Sequence, residues 1–272
     1  MAIIGHLIRL LARGLKWIGD LYRRLADLFN GVLPVLLSSA QLTELTRNHY
    51  RALYSEQFAS VALTVGEPYL EPWETEVLDR NKIHSGRMLV LGAGCGRESL
   101  ALSRRGITVI GVDANEVAIR VASQSAKTLN LQVRFQQADF LALPYRGSSF
   151  DYILLSSTMY SMVADAARRQ AWLQDLGRLL KPDGLLLLSF LPEHHPVSRR
   201  KLVSARLNAL LLRLGAANRP FQRGDDYESG HFMHAFQDEG EIRREFIGAG
   251  ILIRELNWTG GFAVLSYPPL RG

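Results

Sequence analysis

Residues 88–113 read MLVLGAGCGRESLALSRRGITVIGVD, and the architecture of the chain can be built outward from this stretch. A short apolar run ends in glycines, a segment of helical pattern stops at Gly106, and a β-branched run then ends at Asp113. Strand, glycine-rich turn, helix and strand in this order are typical of a βαβ unit with two parallel strands. Glycines in the turn let the backbone approach a ligand and the amino end of the following helix.

The alternation of strands and helices continues toward the carboxyl terminus. The apolar run Leu185–Leu188 is continuous, as expected for a strand covered on both faces. The last two strands are joined by a connection far too short for a parallel crossover, so we expect them to be antiparallel. The sequence therefore predicts a doubly wound α/β fold with a mostly parallel seven-stranded sheet and an antiparallel last strand. Strands are predicted at 88–91, 107–113, 131–139, 150–157, 180–190, 251–258 and 260–267, and helices at 98–106, 115–130, 164–180 and 239–250.

The amino-terminal segment has a different pattern. Apolar residues recur at steps of three and four over 3–29, which predicts a long amphipathic helix that ends at Asn30-Gly31. Further helices are expected at 40–58 and 73–82. We therefore divide the chain into an amphipathic helical extension, 1–37, and an α/β domain, 38–272.

An insertion at 191–237 interrupts the α/β pattern. It carries a basic amphipathic helix, predicted at 198–214, and a polar segment, GDDYESGHFMHAF (224–236), predicted as a loop. Because ligands of open α/β sheets bind at the carboxyl ends of the strands, where the fifth strand leads into this insertion, we expect 191–237 to form a substrate cap there.

Charge is unevenly distributed along the chain. The net charge is +6, with a net +3 in residues 1–37 and a net +7 in residues 197–223. Such basic segments attract anionic surfaces, so lipid headgroups, nucleic acid and phosphorylated substrates are candidate partners, and a merely solubilising face is the alternative.

Composition excludes other classes of protein. The lone cysteine, Cys95, excludes an internal disulfide framework and a multi-cysteine zinc site, and it suits a reducing compartment. His6, Arg9 and Arg13 interrupt the first apolar stretch, which is not the pattern of a secretory signal. No run reaches the roughly 20 apolar residues of a membrane span. We therefore expect a cytoplasmic protein, with peripheral membrane contact as the further hypothesis.

The glycine loop and Asp113 predict a nucleotide-like ligand. Asp113 ends the second strand, where a carboxylate accepts hydrogen bonds from both hydroxyls of a ribose. The dinucleotide pattern G-x-G-x-x-G fails, because Arg97 and Ser99 stand where its last glycine would lie. A phosphate loop of the G-K-[ST] type is absent as well.

The ordered motifs resemble those of the class I (Rossmann-like) family of S-adenosylmethionine (SAM)-dependent methyltransferases. The resemblance covers well over half of the chain, and five motifs in order are far more specific than one glycine loop. The matching stretches are LVLGAGCGRESLALSRRG (89–106), VIGVDAN (109–115), QQADFLALP (136–144), FDYILLSS (150–157), LGRLLKPDGLLLLSF (176–190) and the tail EIRREFIGAGILIRELNW (241–258).

The resemblance implies SAM as cofactor and assigns its binding residues. By that resemblance the glycine loop passes under the methionine and ribose parts, Asp113 with Ala114 holds the ribose, and Asp139 with Phe140 holds the adenine. Ser156 lines the floor near the methyl group. The implied loop residues are Gly92, Ala93, Gly94 and Gly96. One departure is Val90, which stands where the family usually has an acid, so a water-mediated contact to the methionine amine is in doubt.

A base for the methyl acceptor is less well defined by the sequence. Histidine often serves as a general base, and His194, His195, His231 and His234 lie in regions where the family places substrate groups. Tyr160, just past the fourth strand, is another candidate. The preferred candidates are His194, His231 and Tyr160, with loop or hydrogen-bonding roles as the alternative. No metal site is predicted, since no carboxylate–histidine helix motif is present.

The sequence thus predicts a SAM-dependent methyltransferase for a small-molecule or lipid-like acceptor, with an anionic membrane surface as a possible partner. The N-P-P-[YF] motif of enzymes that methylate adenine or glutamine amino groups is absent, so nucleic acid is an unlikely partner. A non-catalytic SAM-fold scaffold and, more weakly, a nucleic-acid methyltransferase stay open as alternatives. The acceptor atom and the oligomeric state are undetermined.

Overall fold

The structure is a computed structural model that describes residues 2–53, 68–194, 199–218, 222–228 and 230–268. The helices are α1 (Ala2–Leu36), α2 (Ser39–Leu53), α3 (Pro72–Arg80), α4 (Arg97–Arg104), α5 (Glu116–Thr128), α6 (Ala166–Leu179), α7 (Arg199–Arg213) and α8 (Glu239–Gly248). The strands are β1 (Arg87–Leu91), β2 (Thr108–Asp113), β3 (Val133–Gln137), β4 (Phe150–Leu155), β5 (Leu180–Ser189), β6 (Asp225–Glu228), β7 (His231–His234), β8 (Leu252–Asn257) and β9 (Phe262–Ser266).

Seven strands form one sheet in the order β3-β2-β1-β4-β5-β9-β8. The first five are parallel, whereas β9 is antiparallel to both β5 and β8. The predicted fold class is therefore confirmed. The chain winds outward from β1 in both directions, so the strand order reverses between β1 and β4, which is where such sheets bind ligands.

Apolar side chains cover both faces of the sheet. Leu89 and Leu91 of β1 pack into one buried layer with α6 and α8, and Met88 and Val90 pack into the other with α3 and α4. Burial on both sides explains why these strands lack the polar alternation of a half-exposed strand. The two layers fix the positions of the loops at the carboxyl edge.

The first helix is longer than predicted. It was expected to end at Asn30-Gly31, but α1 continues through Pro34 to Leu36. The extension is held by tertiary contacts, since Val35 is buried and Asn218 donates from its backbone N–H to the Val35 carbonyl and from its side chain to the Leu36 carbonyl. Partners for these terminal carbonyls stabilise the end of the helix six residues later than the local signal indicates.

The insertion forms a helix and a hairpin. The predicted helix is present as α7, which packs on α1 through a hydrogen bond from buried Asn208 Nδ2 to the Gly31 carbonyl, 3.0 Å. The predicted loop at 224–236 is wrong over the segment that pairs as β6 and β7. That hairpin packs on α2 and on the 3₁₀ turn Met159–Met162 that follows β4.

The helix expected at 40–58 is confirmed as far as Leu53, and 54–58 lie outside the described residues. Within the described part of the chain, no helix combines the length and apolarity that crossing a bilayer requires.

Candidate functional site

The loop between β1 and α4 has backbone conformations that favour glycine. Gly92, Gly94 and Gly96 have φ values of +67°, +50° and +94°. A Cβ atom on Gly92 would lie 1.9 Å from the sulfur of Met159, and one on Gly96 would lie 3.0 Å from the Phe135 ring. Gly92 therefore keeps the cavity floor open, while Gly96 allows α4 to pack closely on the sheet.

Asp113 lies at the end of β2, facing this loop. Its carboxylate accepts hydrogen bonds from Gly94 N at 2.9 Å and Asn115 N at 2.8 Å. Burial raises the pKa of Asp113, and these backbone N–H groups lower it. The helix-capping role belongs to Asn115, whose side chain accepts from the amides of Val117 and Ala118. Asp113 thus keeps acceptor capacity for a ligand.

A cavity opens above Asp113, and several predicted cofactor residues line it. These are Gly92, Asp113, Ala114 and Phe140. The opposite wall is formed by α2, which no sequence motif connects with the site. The wall residues of α2 are Thr43, Thr46, Arg47, Tyr50 and Arg51. The glycine floor and the carboxylate beside it fit the ribose and methionine parts of SAM.

Asp139 follows β3 and points toward α2. Its Oδ1 accepts from Leu141 N at 3.0 Å, and its Oδ2 accepts from Arg47 Nη2 at 2.6 Å. The neighbouring Phe140 lines the cavity and lies 5.4 Å, between ring centroids, from Trp172. Phe140 thus lines the cavity, while Asp139 lies beside it in sequence and pairs with Arg47 of the cavity wall; the family resemblance implies both for an adenine site.

The side chains of two predicted cofactor residues, Ala93 and Ser156, are buried. The side chain of Ala93 packs in an apolar layer, and only its backbone belongs to the loop. The Ser156 hydroxyl donates to buried Glu74 of α3, which also pairs with Arg97 at 2.9 Å. Val90, where the family usually has an acid, is fully buried in the same apolar layer. The cluster of Glu74, Arg97 and Ser156 was not found from the sequence, because it joins three distant segments.

An open groove lies next to the cavity, and Ser157 lines both. Aromatic side chains form part of its wall: Tyr69, Trp73 and Phe190. His194 lies at the same groove, so one of the predicted bases is close to the end of β4. The groove is therefore placed to receive an acceptor molecule beside the cavity.

The environment of His194 defines which ring nitrogen is basic. Its Nε2 lies 3.2 Å from the carbonyl oxygen of Thr259. Because a carbonyl only accepts hydrogen bonds, a neutral His194 carries its proton on Nε2 and has its lone pair on Nδ1.

The other predicted bases have different surroundings. His231 of β7 stacks on His49, with centroids 5.4 Å apart, and lies 5.5 Å from the Tyr50 ring that lines the cavity. Tyr160 is fully buried and donates to Glu245, and burial raises its pKa well above the ordinary value of 10. This position gives Tyr160 no route to an acceptor, so the geometry argues against its prediction as a base.

His234 and His195 are the two other histidines that the sequence places near substrate groups. His234 is fully buried, with Nδ1 2.8 Å from Asp225 Oδ1, so it stabilises the hairpin instead of facing a substrate. His195 lies outside the described residues. Cys95 of the glycine loop is not an activated thiol, since burial and the charge of Asp113 raise its pKa to about 11.

The sheet order, the glycine loop and the acid after β2 together define the class I, Rossmann-like SAM-dependent methyltransferase fold. Residues 88–184 match the family model described as "Methyltransferase domain". Residues 88–184 thus form a methyltransferase domain with the class I, SAM-dependent fold. SAM is accordingly its cofactor.

Curated relatives agree over part of the chain. An uncharacterized methyltransferase, YcgJ, of Bacillus subtilis is 38% identical over 105 residues, which are 38% of this chain and 39% of the relative. The 2-heptyl-1-hydroxyquinolin-4(1H)-one methyltransferase of Mycobacteroides abscessus is 29% identical over 174 residues, 59% of this chain and 74% of the relative. A ubiquinone biosynthesis O-methyltransferase of Bartonella tribocorum is 34% identical over 104 residues, 38% of this chain and 40% of the relative. The chain thus spans about two fifths of the length of two of these relatives, the Bacillus subtilis and Bartonella tribocorum proteins.

Solved structures share the fold. A SAM-dependent methyltransferase from Methanosarcina mazei has a TM-score of 0.53 at 22% identity, covering 73% of this chain and 98% of the other. The DhpI–SAH complex has a TM-score of 0.56 at 20% identity, covering 85% of this chain and all (100%) of the other.

Proposed function

We propose that the protein transfers the methyl group of SAM to a hydroxyl on a small, lipid-like aromatic acceptor. The observation that carries the proposal is that Ser157 lines two neighbouring spaces: a cavity that presents Asp113 and a groove that presents His194 and aromatic side chains. A cofactor and an acceptor held on either side of Ser157 would meet at the end of β4.

The cavity residues bind and orient the cofactor. Asp113 accepts hydrogen bonds from the ribose hydroxyls, Asp139 accepts from the adenine amino group, and Gly92 lets the loop approach closely. When bound, SAM supplies an electrophilic methyl group on a sulfonium. The contribution of the protein is alignment and exclusion of water.

His194 acts as the general base. With Nε2 donating to the Thr259 carbonyl, Nδ1 would be free to accept the proton of the acceptor hydroxyl. His231 is the second candidate base, because its neighbour Tyr50 lines the cavity. His194 is preferred because it lies on the groove itself.

The aromatic wall supports a planar, apolar acceptor. Tyr69, Trp73 and Phe190 offer ring faces and edges that pack on flat ring systems. The relatives named above for ubiquinone biosynthesis and for a hydroxyquinolone have names consistent with the same acceptor class.

The outer face of α1 supports work at a membrane surface. Leu15, Ile18, Tyr22, Leu25 and Phe29 recur at steps of three and four, and all are exposed. The helix also carries a net positive charge. An exposed apolar stripe with basic neighbours is typical of a helix that lies in the interface of an anionic bilayer.

The test is methyl transfer from SAM to ring-hydroxyl quinone and quinolone precursors supplied in lipid vesicles. The variant is His194→Gln, whose amide still donates to Thr259 but supplies no base, and the control is His84→Gln at an exposed turn. We expect His194→Gln to lower kcat by about 10²–10⁴-fold, the usual size of general-base catalysis, with SAM affinity unchanged.

Full activity of His194→Gln would remove His194 from the mechanism. No turnover by the wild-type protein with any ring-hydroxyl acceptor, despite SAM binding, would contradict the proposed acceptor class.

A further inference from the structure

The wall that α2 adds to the cavity lies outside the part of the chain that matches the methyltransferase family model. We infer that Arg47 on α2 controls access to Asp139 in the cofactor site: its guanidinium pairs with Asp139, and the adenine amino group of SAM competes with Arg47 for that carboxylate while Arg47 keeps its other partner, Glu44. This inference rests on the proposed role of Asp139 in SAM binding.

The contact between Arg47 and Asp139 joins two distant segments of the chain. Arg47 Nη2 lies 2.6 Å from Asp139 Oδ2, and Asp139 Oδ1 is already held by the Leu141 amide. At this end of the cavity Arg47 and Phe140 form the lining. Because each carboxylate oxygen already accepts one hydrogen bond, an adenine amino group at Asp139 competes with Arg47 for the remaining acceptor capacity.

The ion pair between Arg47 and Asp139 is partly exposed to solvent and therefore weak. The side chains of Arg47 and Asp139 are 32% and 37% exposed, so water screens their attraction and offers both groups other hydrogen bonds. Arg47 also has a second anionic neighbour, since its Nη1 lies 3.2 Å from Glu44 Oε2, one turn earlier on the same helix. The guanidinium can leave Asp139 without becoming an unpaired charge.

The helix itself is anchored, so the movement belongs to the side chain. Leu42 is fully buried, and Thr46 Oγ1 accepts from the backbone amide of Phe232 in the hairpin at 3.0 Å. Arg168 donates to Thr43 on the same helix at 3.3 Å. With α2 fixed at these points, rotation of the Arg47 side chain toward Glu44 is the simplest way to expose Asp139.

The test compares SAM association by stopped-flow fluorescence in the full chain, with Arg47→Met against Arg51→Met. Arg51 lines the same wall and makes its hydrogen bond to Asn48, so its loss gives the same change in charge without touching Asp139. We expect Arg47→Met to bind SAM faster than Arg51→Met by up to about fivefold, the limit for an exposed ion pair.

Salt gives an independent readout. Raising ionic strength should speed association in the wild-type protein, because screening weakens the Arg47–Asp139 pair, and should have little effect in Arg47→Met. A third variant, Glu44→Gln, should slow association by removing the alternative partner.

Equal association rates and equal salt dependence in Arg47→Met and Arg51→Met would overturn the inference, as would weaker SAM binding in Arg47→Met alone. In either case SAM binding by the wild-type protein would still support the proposed function. Absence of SAM binding to the wild-type protein by calorimetry would overturn both.

Discussion

At the scale of single residues, Asp113 illustrates how a buried carboxylate is kept ready for a ligand. Two backbone amides, those of Gly94 and Asn115, donate to its oxygens and hold the side chain in one orientation. Because Asn115 supplies the cap of α5, the position of Asp113 is not explained by helix capping. Its hydrogen-bonding geometry is better explained by ligand binding.

We predict that Asp113→Asn lowers SAM affinity by about 10- to 100-fold. The change removes the negative charge that strengthens the ribose hydrogen bonds, each worth roughly 1.5–3 kcal/mol when charge-assisted. Titration calorimetry measures the change. The matched control is Asp183→Asn on the exposed turn within β5, which should bind SAM as the wild-type protein does. Unchanged affinity in Asp113→Asn would end the assignment.

His234 is a second residue whose surroundings have a measurable consequence. Burial disfavours its charged form, but hydrogen bonding to Asp225 and to Glu241 raises the pKa of His234 above its ordinary 6.5. Arg169 is also near and opposes the shift. A raised pKa in the folded state means that protonation stabilises the fold below about pH 6.5 and that this contribution is lost as pH rises through the folded-state pKa.

We therefore expect the stability difference between wild type and His234→Gln to be larger at pH 6 than at pH 9. Urea unfolding at the two pH values measures it, and the wild-type protein should lose more stability than the variant over this interval. A difference that grows with pH would show that the neutral imidazole is the stabilising form.

At the scale of elements, the insertion is tied to α1 and α2 rather than standing alone. Asn208 of α7 is fully buried and donates to the Gly31 carbonyl, while Asn218 holds the last carbonyls of α1. The hairpin is connected to α2 by the hydrogen bond from Phe232 N to Thr46. The amino-terminal helices and the insertion therefore form one layer at the carboxyl edge.

The prediction at this scale is that Asn208→Ala loosens α1. Loss of a buried side-chain hydrogen bond should cost about 1–2 kcal/mol of unfolding free energy and speed tryptic cleavage at Arg23 and Arg24. The control is Gln124→Ala, which shortens an exposed polar side chain in the middle of α5. Equal cleavage of α1 in both variants would show that α7 does not hold it.

At the scale of the whole molecule, the exposed stripe of α1 is an apolar surface that no other described residue covers. Trp17 and Tyr22, residue types that favour the headgroup boundary, are 66% and 73% exposed. Leu210 and Leu214, on α7 and just after it, are also exposed. Two helices that pack together thus both carry exposed apolar side chains.

We predict that the full chain co-sediments with anionic vesicles, binds neutral vesicles less, and is released as salt approaches 1 M, where the screening length is about 3 Å. The double variant Ile18→Glu/Leu25→Glu should lose this binding. The control is Ile247→Glu, which changes an isolated exposed side chain on α8.

A different outcome would assign the stripe to protein contacts. The wild-type chain would then bind no vesicles and would sediment as a dimer, whereas the double variant would be a monomer. In that case the partner of α1 is a second copy of the chain.

Local sequence pattern was enough to predict the fold class and the strand-end residues Gly92, Asp113, Ala114 and Phe140 of the cavity. Gly92, Asp113 and Phe140 lie at the ends of consecutive strands, and parallel strands bring their carboxyl ends to one edge of the sheet, so local pattern is enough to place them. The continuous apolar runs likewise determined which strands are central, because only a strand covered on both faces tolerates them.

The residues that α2 and α3 add to the site could be identified only from the folded structure. Arg47 reaches Asp139 across 92 positions of sequence, and Glu74 reaches Ser156 across 82. No periodicity encodes such pairs, because they depend on how α2 and α3 dock on the finished sheet. Tyr160 was predicted as a base from its place after β4. In the folded chain its side chain is buried and donates to Glu245. Alternation and turn residues act over a few neighbours, whereas contacts between distant elements are set by packing in the folded chain.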